Sequence, residues 1–145
     1  MPSGAISAYQ TLLKLGDGGG TEAFTTIAEI IKLGGPKLKL DTKEVTSHSS
    51  TGAFREFIAT LLDAGEVSLD GNFIPTNATQ SQSSGLLKDM KNRTKRNFQM
   101  VFPDVGVTTW SFAAFVTSFE ITAQFDDVLS FSATLKVTGA PTMAG

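Results

Sequence analysis

The sequence of 145 residues contains no cysteine, and it has one histidine, one tryptophan and one tyrosine. Disulfides, thiol nucleophiles and thiolate-bound metals are therefore excluded, so stability must come from packing or association. No apolar run approaches the roughly 20 residues that span a bilayer, and the N-terminus lacks the basic and apolar regions of a signal peptide. We therefore expect a chain that is made and used without secretory export and without membrane contact.

Charge is also scarce, because 18% of the residues are charged and the net charge is −2. With 41% hydrophobic residues, this composition argues against a disordered chain and against a strongly charged nucleic-acid binder. The length is that of about one domain, so we expect a single domain over residues 1–145 with one core.

Alternation of apolar and polar residues dominates the chain and predicts a mainly β fold. It is clearest at 128–137, where Phe131, Leu135 and Val137 fall on one face. The predicted strands are residues 8–15, 24–31, 38–43, 66–73, 96–103, 110–122 and 128–137. Turn signals stand between them at 16–20, 34–36, 63–65 and 103–106. This spacing predicts an antiparallel β-sandwich or barrel-like core.

One segment of the chain, residues 83–94, has the pattern of a short amphipathic helix. Ser83 or Ser84 is a candidate N-cap. The inward positions of this helix are Leu86, Leu87 and Met90, and the exposed positions are Lys88, Asp89 and Lys91. A single helix flanking the β core is the simplest assembly of these parts, which makes the expected fold class mainly β (α+β).

The stretch from Ser50 to Phe73 follows two patterns in succession. Its first half has apolar residues three and four positions apart, which is typical of a helix, whereas its second half alternates like a strand. The helical pattern follows a run of Ser, Thr and Gly without a clear cap. The partner against which this apolar segment packs is therefore not evident from the segment itself.

Residues that could carry chemistry lack the context that an active site requires. His48 has no recognisable nucleophile elbow or orienting partner, so a polar loop residue is the preferred interpretation. Two acidic groups, Asp126 with Asp127 and Asp63 with Glu66 and Asp70, have no recognised metal-ligand spacing. The glycine run near residue 17 lacks the Lys-Ser/Thr of a phosphate loop. We expect no enzyme activity, no metal site and no cofactor.

A cluster of cations is the best candidate for binding a charged partner. It comprises Lys88, Lys91, Arg93, Lys95 and Arg96. No aromatic residues interleave with these cations, which weakens the case for nucleic acid. A solvated helix face is an alternative, and so is a positive patch that meets an acidic patch on a neighbouring copy.

Several ordered blocks give the chain a resemblance that extends over nearly its whole length. They read "LKLGDGGGTEAFTTIAEI", "GGPKLKLDTKEVTSH", "STGAFREFIATLLDAGEVSLDGNF", "RNFQMVFPD", "TTWSFAAFVTSFE" and "DDVLSFSATLKVTGAPTM". In this order they resemble the major tail tube proteins of bacteriophages with long, non-contractile tails. None of the blocks is a catalytic motif, so the resemblance concerns a scaffold and its assembly surfaces.

The resemblance implies a tail-tube-like fold with a long assembly loop and a structural role in the virion tail. Copies of such a protein are expected to form hexameric rings that stack into a hollow tube, assembled in the cytoplasm of the bacterial host. The implied partners are other copies, a tape-measure protein and tail-end proteins. The resemblance also implies that double-stranded DNA passes through the lumen without specific binding.

The resemblance also assigns roles to surfaces. The segment after Ser50 becomes an extension whose apolar residues are completed by a neighbouring subunit, with candidate contacts at Phe54, Arg55, Glu56, Phe57, Ile58 and Leu61. The cation cluster becomes a candidate stacking interface. Glu66, Ser68 and Asp70, together with Asn72, share one strand face and are candidates for an acidic lumen, with the outer surface as an equal alternative. A monomeric β-sandwich binding or virion decoration module remains the competing hypothesis, although an exposed aromatic platform is missing.

Overall fold

The computed structural model describes residues 3–16 and 22–144, which are built mainly from antiparallel strands. The strands are β1 Leu12–Gly16, β2 Phe24–Thr26, β3 Ile30–Gly34, β4 Lys39–Glu44, β5 Phe57–Asp63, β6 Glu66–Asn72, β7 Arg96–Val101, β8 Thr109–Thr122 and β9 Ser130–Ala144. One short helix, α1 (Leu86–Lys91), and a 3₁₀ turn (Thr51–Ala53) complete the described elements. The mainly β, antiparallel fold class with one flanking helix is therefore confirmed.

Seven of these strands form one sheet in the order β2-β1-β7-β8-β9-β6-β3. Its two outer strands, β2 and β3, are consecutive in the chain, so residues 24–34 connect the two ends of the sheet. Between them the Ile27 N–H donates to the Leu13 carbonyl at 2.9 Å, and the Asn72 N–H donates to the Glu29 carbonyl at 3.0 Å. This one segment thus bonds to β1 and to β6 and curls the sheet into a barrel-like structure, which shields strand edges that would otherwise be open.

A buried glutamine fastens this closing segment. Gln80 is fully buried, and its Nε2 donates to the carbonyls of Ala28 at 2.7 Å and Asn72 at 3.1 Å. Its Oε1 accepts the N–H of Ile74 at 2.7 Å. Thr79 beside it accepts the Ala28 N–H at 3.1 Å. Both ends of the Gln80 amide are thereby satisfied, as a buried polar group requires.

The core lies inside the barrel and follows the predicted alternation. Phe98 and Met100 of β7 are buried, and Phe98 stacks on Phe112 of β8 with ring centroids 5.8 Å apart. On β9, the buried residues are Phe131, Ala133, Leu135 and Val137. Burial of one face of each strand explains why a period of two was visible in the sequence.

The phenylalanines of β8 lie on both faces, and a bulge explains part of this. Phe112 is buried, whereas Phe115 is exposed. The β8–β9 register then shifts between Val116 and Ser118. Because an extra residue reverses the facing of all that follow, Phe119 returns to the core side and stacks on Phe131 at 5.1 Å.

Helix α1 is shorter than predicted, and two details of its prediction were wrong. Its N-cap is Gly85, without a side-chain cap, rather than Ser83 or Ser84. Asp89 is buried rather than exposed, because it pairs with Arg96 on β7. Leu86 is buried in the core as expected. Within the described residues, no helix has the length and apolarity to cross a membrane.

The predicted strands at the N-terminal end were too long. The strand expected at 8–15 begins at Leu12, because Tyr9 and Gln10 form a turn in which Gln10 has φ 72°. The strand expected at 24–31 is broken at Glu29, which has φ 62°. The turns expected at 34–36, 63–65 and 103–106 lie between strands. Of the turn expected at 16–20, positions 17–20 lie outside the described residues.

Candidate assembly surfaces

Strands β4 and β5 form a separate two-stranded ribbon outside the barrel sheet. They pair antiparallel with each other, so that Leu40 lies opposite Leu62 and Glu44 lies opposite Phe57. Residues 45–56 connect the two strands. We call residues 39–63 the ribbon.

The ribbon carries large apolar side chains that no part of the described chain covers. Phe54 is 76% exposed, Leu61 74% and Leu62 79%. Phe57 and Ile58 are also more than half exposed. All six predicted inter-subunit contacts, from Phe54 to Leu61, therefore lie on exposed parts of one projecting element. Their role as contacts stays a prediction.

The helical pattern noted in the second part of the ribbon is wrong as a structural prediction. Residues 57–63 are strand β5, because their backbone groups pair with β4. A bulge places one residue, Asp41, opposite the two residues Thr60 and Leu61, and the Thr60 hydroxyl donates to the Asp41 carbonyl at 3.1 Å. The interpretation as an extension agrees with this geometry.

Polar bonds rather than apolar packing hold the end of the ribbon. The Ser50 hydroxyl donates to Glu56 Oε2 at 2.8 Å, and the Glu56 N–H donates to the Thr46 hydroxyl oxygen at 2.9 Å. Arg55 lies 3.8 Å from Glu44, and both are exposed. Glu56 is thus engaged within its own ribbon, whereas the side chain of Phe54 is left in solvent.

A groove at the base of the ribbon adds apolar surface that the sequence did not single out. It has a volume of about 550 Å³ and is lined by Leu38, Leu62, Trp110, Pro141 and Met143, among others. Leu38 and Met143 are 58% and 57% exposed. The alternation of Leu38 and Leu40 in the predicted strand 38–43 was the one sign of an apolar surface here. Nothing in the sequence indicated that this strand lies beside the C-terminal strand.

An ion pair joins the ribbon to the barrel. Asp63, at the end of β5, accepts the Gly65 N–H at 2.9 Å and lies 3.3 Å from the ammonium group of Lys136 on β9. The Gly65 hydrogen bond, followed by Lys136, holds the pKa of Asp63 below its ordinary value. Gly65 has φ 72°, and a Cβ there would collide with the Lys37 carbonyl, so the joint requires glycine.

The candidate lumen residues share the outward face of β6. Glu66 and Ser68 are exposed and Asp70 is half-buried, while Val67 and Leu69 between them are buried. Polar residues continue across the neighbouring strands in two directly paired rows. The rows are Lys32, Asp70, Ser132 and Glu120, and Gly34, Ser68, Thr134 and Ser118. The candidate residues share one face of β6, as predicted, whereas the row of Glu66 and Lys136 continues to the exposed Phe115 of β8. The placement of this face in a lumen stays a prediction.

The cation cluster divides into two parts. Lys88, Lys91, Arg93 and Lys95 lie around the end of α1, where all four are exposed. Arg96 instead points inward and donates to Asp89 Oδ1 at 2.8 Å and to the Gly16 carbonyl at 2.6 and 3.0 Å. Its prediction as part of a charged interface is therefore not supported by its placement, because its guanidinium joins α1 to β1 inside the subunit.

The buried carboxylate of this pair is only partly satisfied. Burial raises the pKa of Asp89, against the opposing effect of the Arg96 guanidinium. Its Oδ2 atom accepts no hydrogen bond from the described residues. Asp89 is nevertheless no candidate for chemistry, because Arg96 and the helix enclose it.

Residues considered for catalysis or metal binding are dispersed. His48 is exposed between β4 and β5. Asp126 and Asp127 lie in the exposed loop after β8, whereas Asp63 and Asp70 lie on separate strands with their own partners. Among residues 3–16 and 22–144, no three His, Asp or Glu side chains come together as a metal site would require.

The described subunit is thus a barrel-like sheet with a projecting ribbon whose large apolar side chains are exposed. The family profile described as "Lambda phage tail tube protein, TTP" matches residues 4–144. The chain belongs to this family. It is accordingly a structural protein of the phage tail tube, a component of the virion tail, and the family is not one of enzymes.

Solved structures agree in fold. The tail of an empty gene transfer agent (GTA) particle with C6 symmetry is 22% identical, with a TM-score of 0.79, and the match covers 97% of this chain and 100% of that one. The sheath/tube terminator of an extracellular contractile injection system (PVC) is 17% identical, with a TM-score of 0.71 over 97% of both chains. The SPP1 tail tube is 12% identical, with a TM-score of 0.64, and the match covers 93% of this chain and 76% of that one. No curated protein sequence matches the chain.

Proposed function

We propose that copies of this chain associate side by side into rings, and that the rings stack into the hollow tube through which a phage genome is delivered. The observation that carries the proposal is the ribbon, whose apolar residues are covered by nothing in the described subunit. Exposed apolar patches of this kind mark association surfaces. Because residues 24–34 bond to both β1 and β6, the barrel-like sheet has few open strand edges, which leaves the exposed ribbon as a surface for association.

We propose that each ring contains six copies of the chain. Support comes from the C6 symmetry stated for the similar gene transfer agent tail. We also propose a tail of the long, non-contractile type, which the lambda family favours, although a contractile injection system has subunits of similar fold. Assembly would take place in the bacterial cytoplasm around a tape-measure protein, with tail-end proteins closing the tube.

The ribbon test uses purified protein and two substitutions on the same element. Phe54→Asp places a charge on the most exposed aromatic residue of the ribbon and should leave a folded monomer that forms no tubes. Ser49→Asp adds the same charge to the neighbouring loop without touching the apolar residues, and it should assemble like the original chain. Sedimentation velocity and negative-stain electron microscopy measure both. A chain that stays strictly monomeric at high concentration under all salt conditions would contradict the proposal and favour a monomeric binding module.

The proposed lumen face is the polar surface around Glu66, Ser68 and Asp70. Carboxylates along a channel repel DNA phosphates, which lets the duplex slide without specific binding. Reversal of two charges, Glu66→Lys with Asp70→Lys, should leave tubes of unchanged diameter but slow genome release, because cations would bind the passing phosphates. Unchanged release from intact tubes would place this face on the outside.

A further inference from the structure

The loop between β8 and β9 projects from the barrel with acidic and apolar side chains. The last paired residues of the two strands are Thr122 and Ser130, so residues 123–129 extend beyond the sheet. Phe125 is fully exposed, and Val128 is 61% exposed. Asp126 and Asp127 stand between them and are exposed as well. We call residues 123–129 the acidic tip.

The carboxylates of the acidic tip have no cation partner among the described residues of their own chain. The ion pairs of those residues are Lys39 with Asp41, Arg55 with Glu44, Arg96 with Asp89, and Lys136 with Asp63. Asp127 accepts the N–H of Val128, at 2.8 Å. Several carboxylates of the subunit are thus paired locally, whereas these two adjacent carboxylates are not.

A complementary group of cations lies at the end of α1. We call Lys88, Lys91, Arg93 and Lys95 the basic cluster. The nearest carboxylate in the sequence, Asp89, is buried and bonded to Arg96. Among the described residues, the side chains of this cluster form one hydrogen bond, which Lys91 donates to Gln82 at 3.5 Å.

The acidic tip and the basic cluster of one chain form no ion pair with each other among the described residues. Arg96, the first residue of β7, pairs with Ala114 of β8. Thr122 is eight residues farther along the same strand, which corresponds to about 26 Å at the usual rise per residue. Because β7 and β8 are antiparallel, Arg93 and Lys95 lie on the side of Arg96 that faces the tip. No ion pair of the described residues, however, joins either of them to Asp126 or Asp127.

We propose that the acidic tip of one copy docks on the basic cluster of a neighbouring copy. This inference rests on the proposed tube, since it names one of the contacts between its subunits. Each copy carries both surfaces, so the contact is heterologous and every copy donates a tip and accepts one. Phe125 would lie against the aliphatic stems of the lysines while their ammonium groups meet Asp126 and Asp127.

Charge complementarity favours a second copy over nucleic acid as the occupant of the basic cluster. Phosphates would neutralise the cations but would leave the carboxylates of the tip unpaired and Phe125 in water. A neighbouring copy satisfies both surfaces at once. The cluster also lacks interleaved aromatic residues on which bases would stack.

A charge swap tests the contact. The tip variant carries Asp126→Lys with Asp127→Lys, and the cluster variant carries Lys88→Glu with Lys91→Glu. In the tip variant the reversed tip faces the cations of the cluster, and in the cluster variant the acidic tip faces two glutamates in place of two lysines. We therefore expect the sedimenting tube fraction to fall about tenfold or more in each variant alone. An equimolar mixture of the two should assemble, because each reversed tip meets a reversed cluster on the other variant and each original tip meets an original cluster. A chain with both reversals should also assemble.

Controls separate this contact from folding, net charge and the tube itself. Circular dichroism and the unfolding midpoint of each variant report folding. Lys32→Glu with Lys37→Glu makes the same change in net charge as the cluster variant elsewhere on the surface, and it should assemble normally. Failure of the mixture to assemble, or equal loss in this control, would overturn the inference while leaving the tube intact. So would a cluster variant that assembles normally and loses only DNA binding. A failure of the unsubstituted chain to assemble would instead overturn the proposed function.

Discussion

Leu69 and Leu61 are the same residue type only eight positions apart, yet Leu69 is 1% exposed and Leu61 is 74% exposed. Leu69 belongs to β6, whose inner face is covered by the barrel, whereas Leu61 belongs to the ribbon, whose two strands have no second layer among the described residues. Apolar residues on a strand therefore do not by themselves define a core. In this molecule the barrel contains the residues that stabilise the subunit, and the ribbon contains residues available to another chain.

The largest loss of stability should come from truncating the barrel core. Phe98 is fully buried and stacked on Phe112, so Phe98→Ala leaves a cavity and should lower the free energy of unfolding by about 3–5 kcal/mol. Denaturant unfolding of unassembled protein measures this. If Phe98→Ala lowered the free energy of unfolding only as much as the substitution of an exposed residue, the barrel would not be the region that stabilises the subunit.

The second largest loss should come from the bonds that close the barrel. Gln80→Ala removes the acceptor of Ile74 and the donor to Ala28 and Asn72. Buried partners left unsatisfied cost about 1–3 kcal/mol in the free energy of unfolding. Hydrogen exchange should also accelerate at the Ile27 and Asn72 amides, which the closing segment protects. Substitution of exposed Gln82 by alanine is the control, and it should change neither quantity.

The joint between the two regions should show a smaller and pH-dependent effect. Since the folded pKa of Asp63 is lowered, its ionised form stabilises the fold above its unfolded pKa of about 3.9, and this contribution disappears as the pH falls through the folded pKa. Asp63→Asn should therefore reduce the unfolding midpoint slightly at pH 7 and not at all at strongly acidic pH. In a Lys136→Met background the reduction at pH 7 should be smaller. A difference that persists unchanged in acid would assign the effect to packing instead.

The smallest effect on folding should come from the ribbon. Phe57 is 56% exposed, so Phe57→Ala should change the free energy of unfolding by no more than about 0.5 kcal/mol. The same substitution should raise the protein concentration needed for tube formation, because the phenyl ring packs against a neighbouring chain in the proposed tube. A loss of stability comparable to that of Phe98→Ala would show that the ribbon folds back on its own subunit.

The sequence predicted the barrel better than the ribbon for a physical reason. A strand with one buried face must alternate, so Phe98, Met100 and the inward residues of β9 were visible as a period of two. In the ribbon, apolar residues lie on both faces, and their spacing at Phe54, Phe57 and Leu61 fits a helix as well as a strand. Pairing with β4 decides between them, and pairing is not a local property.

Long-range partners explain the other differences. Asp89 follows Lys88 on a short helix and was predicted to be exposed, but Arg96 and the Gly16 carbonyl meet in the interior beside it. The groove beneath the ribbon combines Leu38 with Met143, which are more than 100 residues apart. Proximity of this kind depends on how the sheet curls, and no spacing in the sequence indicates it.

The closing segment also has a consequence for how the chain folds during synthesis. Residues 24–34 are synthesised early, but strand β3 within them pairs with β6, which is synthesised later. Strand β1 pairs with β7, which follows it by about 80 residues. Pairings between distant parts of a chain form slowly, on the order of milliseconds to seconds, because a long loop must first be ordered. The barrel of a nascent subunit therefore closes only after β7, β8 and β9 have left the ribosome, and until then the exposed ribbon is attached to an unfinished chain.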